Sequence, residues 1–191
     1  MYDRDSWCTP SIYLESVRKV FGGTIELDPA SNLYAQKTVQ AERYFTKEDN
    51  CLVQNWSLEG ASKRVFLNPP YSSKLINAIV GKFLKELKKG AISQGIVLTN
   101  NSTETRWCQS LFKASSALCF LNKRISFDHP DKEIRKKKGN RQSQIFFYLG
   151  DTNITCFLTE FSRFGFCIHL TKETKNDLEQ EKPTCFLKSP L

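Results

Sequence analysis

The sequence predicts an α/β domain built on a mainly parallel, doubly wound sheet with helices on both faces. Two observations carry that prediction. Segments that read as strands at 65–67, 92–98, 117–121 and 143–149 alternate with segments whose apolar residues recur at helical spacing, which is the pattern that β–α units leave in a sequence. The chain has 191 residues, enough for one domain with a good core, and no repeat, low-complexity tract or composition break marks a second one.

Taken in order, the chain opens polar and reaches Trp7-Cys8-Thr9-Pro10. A helix is predicted over 11–20, with Ile12, Tyr13, Val17 and Val20 at helical spacing, Pro10 before it and Gly22-Gly23 after it. Residues 24–27 read as the first strand and deliver Asp28-Pro29-Ala30-Ser31 at its carboxyl end. Residues 32–42 are polar and helical in part, and Trp56 reads as a core residue. The strand at 65–67 comes next, and Ser72-Ser73 caps a helix over 74–89. That helix has an apolar face of Leu75, Ile76, Ile79, Val80, Phe83, Leu84 and Leu87, and Gly90 ends it. Residues 92–98 complete a β–α–β unit, and 99–103 form a polar turn on the same rim as Asn68. A helix over 104–114 and a strand over 117–121 follow. After a basic loop come a strand at 143–149 buried on both faces, a helix at 153–162 and a last strand at 165–170. From Thr171 the chain holds four lysines and four acids and reads as a frayed polar tail over 171–191.

The chemistry centres on Asn68-Pro69-Pro70-Tyr71, which stops the strand at 65–67 abruptly. Proline cannot donate to a sheet ladder, and each proline pushes its predecessor away from helix, so Asn68 and Pro69 form an extended, rigid turn. It lies at the carboxyl end of a strand, where open α/β sheets bind ligands. The Asn68 amide oxygen and the Pro69 carbonyl can each accept one N–H of an amino group on a flat ring. Tyr71 can stack on that ring, and Pro70 fixes the turn.

Composition narrows the classes. The net charge is +8, and residues 122–141 hold eight Lys or Arg against three acids. That is a solvated loop on its own, but beside an amino-ring pocket it reads as a phosphate-contacting arm. Its candidates are Arg124, Arg135, Lys136, Lys137, Lys138 and Arg141. The seven cysteines include no C-x-x-C pair and the chain has two histidines, an inventory that fits reduced core thiols rather than a metal site or a disulfide framework. No apolar run approaches the ~20 residues of a membrane helix, and the N-terminus is no secretory signal, so a soluble intracellular protein is expected.

Trp7-x-Thr9-Pro10, Leu27-Asp28-Pro29-Ala30-Ser31, Tyr44-Phe45-Thr46, Trp56, Asn68-Pro69-Pro70-Tyr71 and Arg124-Ile125-x-Phe127 occur in this order. In that order they resemble the small DNA N-6-adenine methyltransferases of bacteriophages and mobile elements, a Dam-like, S-adenosylmethionine-dependent family. The resemblance covers most of the chain. It implies a single Rossmann-like methyltransferase domain over 1–170, acting without a metal on a flipped adenine of double-stranded DNA in the cytoplasm of a bacterial host. It makes Asn68, Pro69, Pro70 and Tyr71 the catalytic turn and brings Trp7, Thr9 and Pro10 beside the cofactor, although packing over the first helix would also explain Trp7. Asp28, Ala30 and Ser31 stand where nucleotide-binding folds carry a glycine loop, which this chain lacks; a turn in which Asp28 caps Ser31 is the competing reading. Asp49 falls where adenosine-binding folds place an acid for the ribose or adenine. The same tetrapeptide occurs in enzymes that methylate adenine in RNA or the amide of glutamine in a protein. A nucleic-acid-binding relative without catalysis is the remaining alternative.

Overall fold

One sheet joins β1 (Leu27–Asp28), β2 (Arg43–Tyr44), β3 (Lys63–Leu67), β4 (Ile92–Asn100), β5 (Ala117–Leu121), β6 (Gln144–Leu149) and β7 (Gly165–His169). Its order is β2-β1-β3-β4-β6-β5-β7. The structure is a computed structural model and describes residues 7–57, 63–131, 133 and 140–171. Among them are five helices: α1 (Ser11–Val20), α2 (Gln36–Val39), α3 (Ser73–Lys88), α4 (Arg106–Ala114) and α5 (Ile154–Phe161).

Side-chain alternation along the strands builds two cores. Val65, Leu67, Val97, Ile145, Phe147 and Leu149 face one way and are covered by Ile76, Ile79, Val80 and Phe83 of α3 and by Trp107, Cys108 and Leu111 of α4. Phe66, Ile96, Leu98, Phe146 and Tyr148 face the other way, under Leu14, Val17 and Val20 of α1 and Phe157 and Phe161 of α5. Helices therefore cover both faces, as the sequence predicts. All six residues of β6 are buried, which is why 145–149 reads as an unbroken apolar run rather than an alternating one. Trp56 is a core residue, 1% exposed, and its indole N–H donates to the Cys51 carbonyl at 2.9 Å.

The sheet departs from the mainly parallel expectation. β1 pairs with β2 and β3, and β3 with β4, in parallel. The pairs β4–β6, β5–β6 and β5–β7 are antiparallel. Alternation of strands and helices suggests parallel crossovers, but after β5 the chain stays on the rim where β5 ends and enters β6 from that side, so β6 runs back between β4 and β5. Three local expectations also shift. The first strand is Leu27–Asp28, placing Asp28 within the sheet. β2 is a short edge strand held through its pairing with β1. Thr99 and Asn100 extend β4, opposite Ile145 and Gln144, and leave the polar turn to begin at Asn101. The polar tail lies outside the described residues beyond Thr171. No described helix is long and apolar enough to cross a membrane.

Candidate functional site

The strand order dictates where a ligand would sit. From β1 the chain moves to one side to make β2, then crosses back past β1 to make β3. The connections therefore diverge between β1 and β3, and their carboxyl ends open a crevice. Asp28 ends β1 and Asn68 follows β3 directly. Both line a cleft of about 700 Å³, within the size range of small-molecule sites.

Of the residues singled out from the sequence, Asn68, Pro69, Pro70 and Tyr71 are all on the cleft wall, together with Trp7, Thr9, Asp28, Ala30 and Ser31. Pro10 is not on it and instead precedes α1 at its N-cap, with an extended backbone. Asp49 is also off the wall. Its exposed carboxylate accepts from both the backbone N–H and the hydroxyl of Thr46, at 2.8 Å each, and these bonds hold its pKa below the usual carboxylate range. The neighbouring acid, Glu48, lines the cleft in its place. Thr46-x-x-Asp49 is a capping pattern legible in the sequence; nothing local marks Glu48.

The Asn68 amide is held at both ends. Its Nδ2 donates to the Thr9 hydroxyl at 3.3 Å and lies 3.5 Å from the Trp7 carbonyl, while the Tyr71 hydroxyl donates to its Oδ1 at 3.1 Å. Burial pushes the Tyr71 pKa well above its ordinary value, so the hydroxyl keeps its proton. A carbonyl oxygen has two lone pairs, so Oδ1 retains one acceptor site. No described residue donates to the Pro69 carbonyl. The turn thus offers two acceptors where the sequence placed them.

Asp28 is 3% exposed. It accepts from the Ala30 N–H at 3.3 Å and from the Gln36 amide at 3.1 Å. The Ser31 backbone N–H goes elsewhere, to the Phe45 carbonyl at 2.8 Å. Burial pushes the Asp28 carboxyl up to about 6, against the lowering effect of its bonds with Ser31, Ala30 and Gln36.

The two ends of the basic segment are tied together beside the sheet. Buried Gln144 accepts from the Ile125 N–H at 3.1 Å and donates to Asn100 at 3.2 Å and to the Gln142 carbonyl at 2.7 Å. Asn140 donates to the Ile125 carbonyl at 3.4 Å. Arg124 and Arg141 flank these ties and are exposed. Arg135, Lys136, Lys137 and Lys138 lie outside the described residues.

A family model described as DNA N-6-adenine-methyltransferase (Dam) matches residues 1–178. A DNA N-6-adenine-methyltransferase of Escherichia phage T1 is 25% identical over 149 residues, which cover 78% of this chain and 56% of the relative. The chain thus spans little more than half the length of that relative. No solved structure matches it.

Proposed function

The chain belongs to the Dam family of DNA N-6-adenine-methyltransferases, and on that premise we propose that it transfers a methyl group from S-adenosylmethionine to the N6 amino group of adenine in DNA. The observation that carries this reading is the Asn68-Pro69 turn, with an acceptor site on the Asn68 amide and an undonated Pro69 carbonyl, on the wall of the cleft that also holds Asp28. The sheet order is compatible with a Rossmann-like methyltransferase domain.

The cleft residues fit the methyl donor. Asp28 is a buried carboxylate whose ionised form is disfavoured by its surroundings, and a bound cation would relieve that penalty. Trp7 adds an aromatic face suited to a cation. Ala30 and Ser31 are small enough for close backbone approach, and Glu48 offers acceptors for ribose hydroxyls. When bound, S-adenosylmethionine supplies an electrophilic methyl group.

The turn would activate the amino group. The lone pair of an adenine amino group is delocalised into the ring, which makes it a poor nucleophile. By accepting both N–H bonds, Asn68 and the Pro69 carbonyl turn the lone pair out of that conjugation and stabilise positive charge as it develops. Pro70 keeps the turn rigid and the Tyr71 ring holds the base. The proton leaves afterwards to solvent or a nearby acceptor. In a duplex the adenine must first be extruded, at about a few kcal/mol. Arg124, Arg141 and the basic run 135–138 would offset part of that through phosphate contacts.

The test is transfer of labelled methyl from S-adenosylmethionine to unmethylated DNA, RNA and protein in parallel, for wild type and Asn68→Ala. Label on adenine in DNA, lost in the variant although it still binds DNA, is the expected result. Label on RNA or protein instead, or an undiminished rate in Asn68→Ala, would overturn the reading.

A further inference from the structure

The side-chain oxygen and nitrogen of an asparagine are almost the same size, so packing does not choose between them; hydrogen-bonding neighbours do. At Asn68 that choice decides the chemistry. Oδ1 towards the substrate accepts an N–H, whereas Nδ2 there would confront one donor with another. The Tyr71 hydroxyl donates to Oδ1 in this orientation, but a hydroxyl can also accept and does not choose by itself. The choice is made by a segment distant in sequence: the Trp7 carbonyl, which can only accept, lies 3.5 Å from Nδ2, and the Thr9 hydroxyl accepts from the same nitrogen at 3.3 Å. Both contacts are long, as hydrogen bonds of catalytic groups often are until the reacting complex tightens them.

The segment that supplies these two acceptors is itself fixed. Cys8, between them, exchanges backbone hydrogen bonds with Asp128 at 2.8 and 3.0 Å. The Trp7 ring lies edge-on to that of buried His129, with centroids 4.9 Å apart. Tyr34 donates its hydroxyl to the Asp128 carboxylate at 2.8 Å. Thr9 is 2% exposed, so its hydroxyl is directed at Asn68 rather than at solvent.

We propose that Thr9 is a positioning residue: its hydroxyl anchors the Asn68 amide against the segment where the Trp7 carbonyl selects Nδ2, so that Oδ1 faces the amino group. This rests on the methyltransferase reading and gives Thr9 a task other than holding the cofactor. Removing the hydroxyl leaves the amide held by Tyr71 and Trp7 alone, so turnover falls without vanishing.

The experiment compares Thr9→Val, Thr9→Ala and Thr9→Ser with wild type, each checked for its thermal midpoint. Loss of one neutral hydrogen bond is expected to lower kcat about fivefold to tenfold in the Val and Ala variants, with KM for S-adenosylmethionine and for DNA within about twofold of wild type. Thr9→Ser, which restores the hydroxyl, should recover most of kcat. Ser and Ala differ only by that hydroxyl, so their comparison stands even if the Val variant fails to fold. A raised KM for S-adenosylmethionine at unchanged kcat would make Thr9 a cofactor contact and overturn the proposal. Equal losses in Ser and Ala would make it a packing residue and do the same. A second readout needs no catalysis. The side-chain ¹⁵N–¹H₂ signals of Asn68, assigned by their loss in Asn68→Asp, should shift and exchange faster in Thr9→Ala but not in Thr9→Ser. Unmoved signals would overturn the proposal. A wild type that methylates nothing would defeat the methyltransferase reading, while these signals would still report on Thr9.

Discussion

Asp28→Asn should make the protein more stable at pH 8 and less stable at pH 4. Asp28 is 3% exposed, and burial raises its pKa from 3.8 to about 6. The folded state therefore binds a proton more tightly than the unfolded chain does. The stability that follows is complete below about pH 4 and is lost as the pH rises through about 6. A shift of about two units at 1.36 kcal/mol each puts the cost of ionised Asp28 at about 3 kcal/mol. Asparagine is neutral throughout and escapes that cost. The Ala30 N–H and the Gln36 amide meet different oxygens of Asp28, however, and asparagine puts an N–H donor in place of one of them, a loss of about 1 kcal/mol. The variant should thus gain about 2 kcal/mol at pH 8 and lose about 1 kcal/mol at pH 4. Urea unfolding at a series of pH values reads this directly, because the midpoint moves while the slope stays fixed. Comparing the two proteins at each pH cancels the contributions of other groups. A destabilisation at pH 8 as large as at pH 4 would refute the reasoning, since it would mean that Asp28 carries no burial penalty. The expected companion effect is weaker binding of S-adenosylmethionine by the more stable variant, the trade expected of a residue kept for function rather than stability.

Three further outcomes are expected. Gly81 lies exposed within α3 with nothing within 4 Å of an added Cβ, so Gly81→Ala should raise the thermal midpoint, by about 1 kcal/mol or roughly 2–4 °C. At Gly165 an added Cβ would overlap the Phe120 carbonyl of the paired strand; Gly165→Ala should destabilise by about 1–3 kcal/mol or more in the same melting experiment. Arg124→Ala should weaken DNA binding for all sequences alike and reduce the slope of log affinity against log salt by about one. If it relaxes a single position of a recognition sequence instead, Arg124 reads a base edge rather than a phosphate.

Much of this architecture is legible along the chain because it follows from local rules. Helix α1 occupies Ser11–Val20 as expected, since Pro10 and the glycines at 22 and 23 bound it and Leu14, Val17 and Val20 give it one buried face. The motif turn is equally local. Two consecutive prolines fix its backbone wherever it stands, and burial on both faces writes β3 and β6 as apolar runs. The misses have a common cause. β2 is two residues long and exists through its pairing with β1, which no local preference encodes. The direction of β6 depends on where the chain re-enters the sheet, and apolar runs carry no direction. Glu48 rather than Asp49 faces the cleft because Asp49 closes a turn on Thr46.

The sequence by itself determined the α/β class, the rigid Asn68-Pro69-Pro70-Tyr71 turn, its place after a buried strand and the basic surplus that suits a polyanion. These rest on periodicity, proline geometry and charge, all properties of neighbouring residues. Only the tertiary structure decided that Asp28 and Asn68 share one crevice, that half of the strand pairings are antiparallel, and that Trp7 and Thr9 reach across some sixty residues to face the Asn68 amide. Those are relations between segments. They are fixed when the sheet buries its two faces and the strand order brings the carboxyl ends of β1 and β3 together.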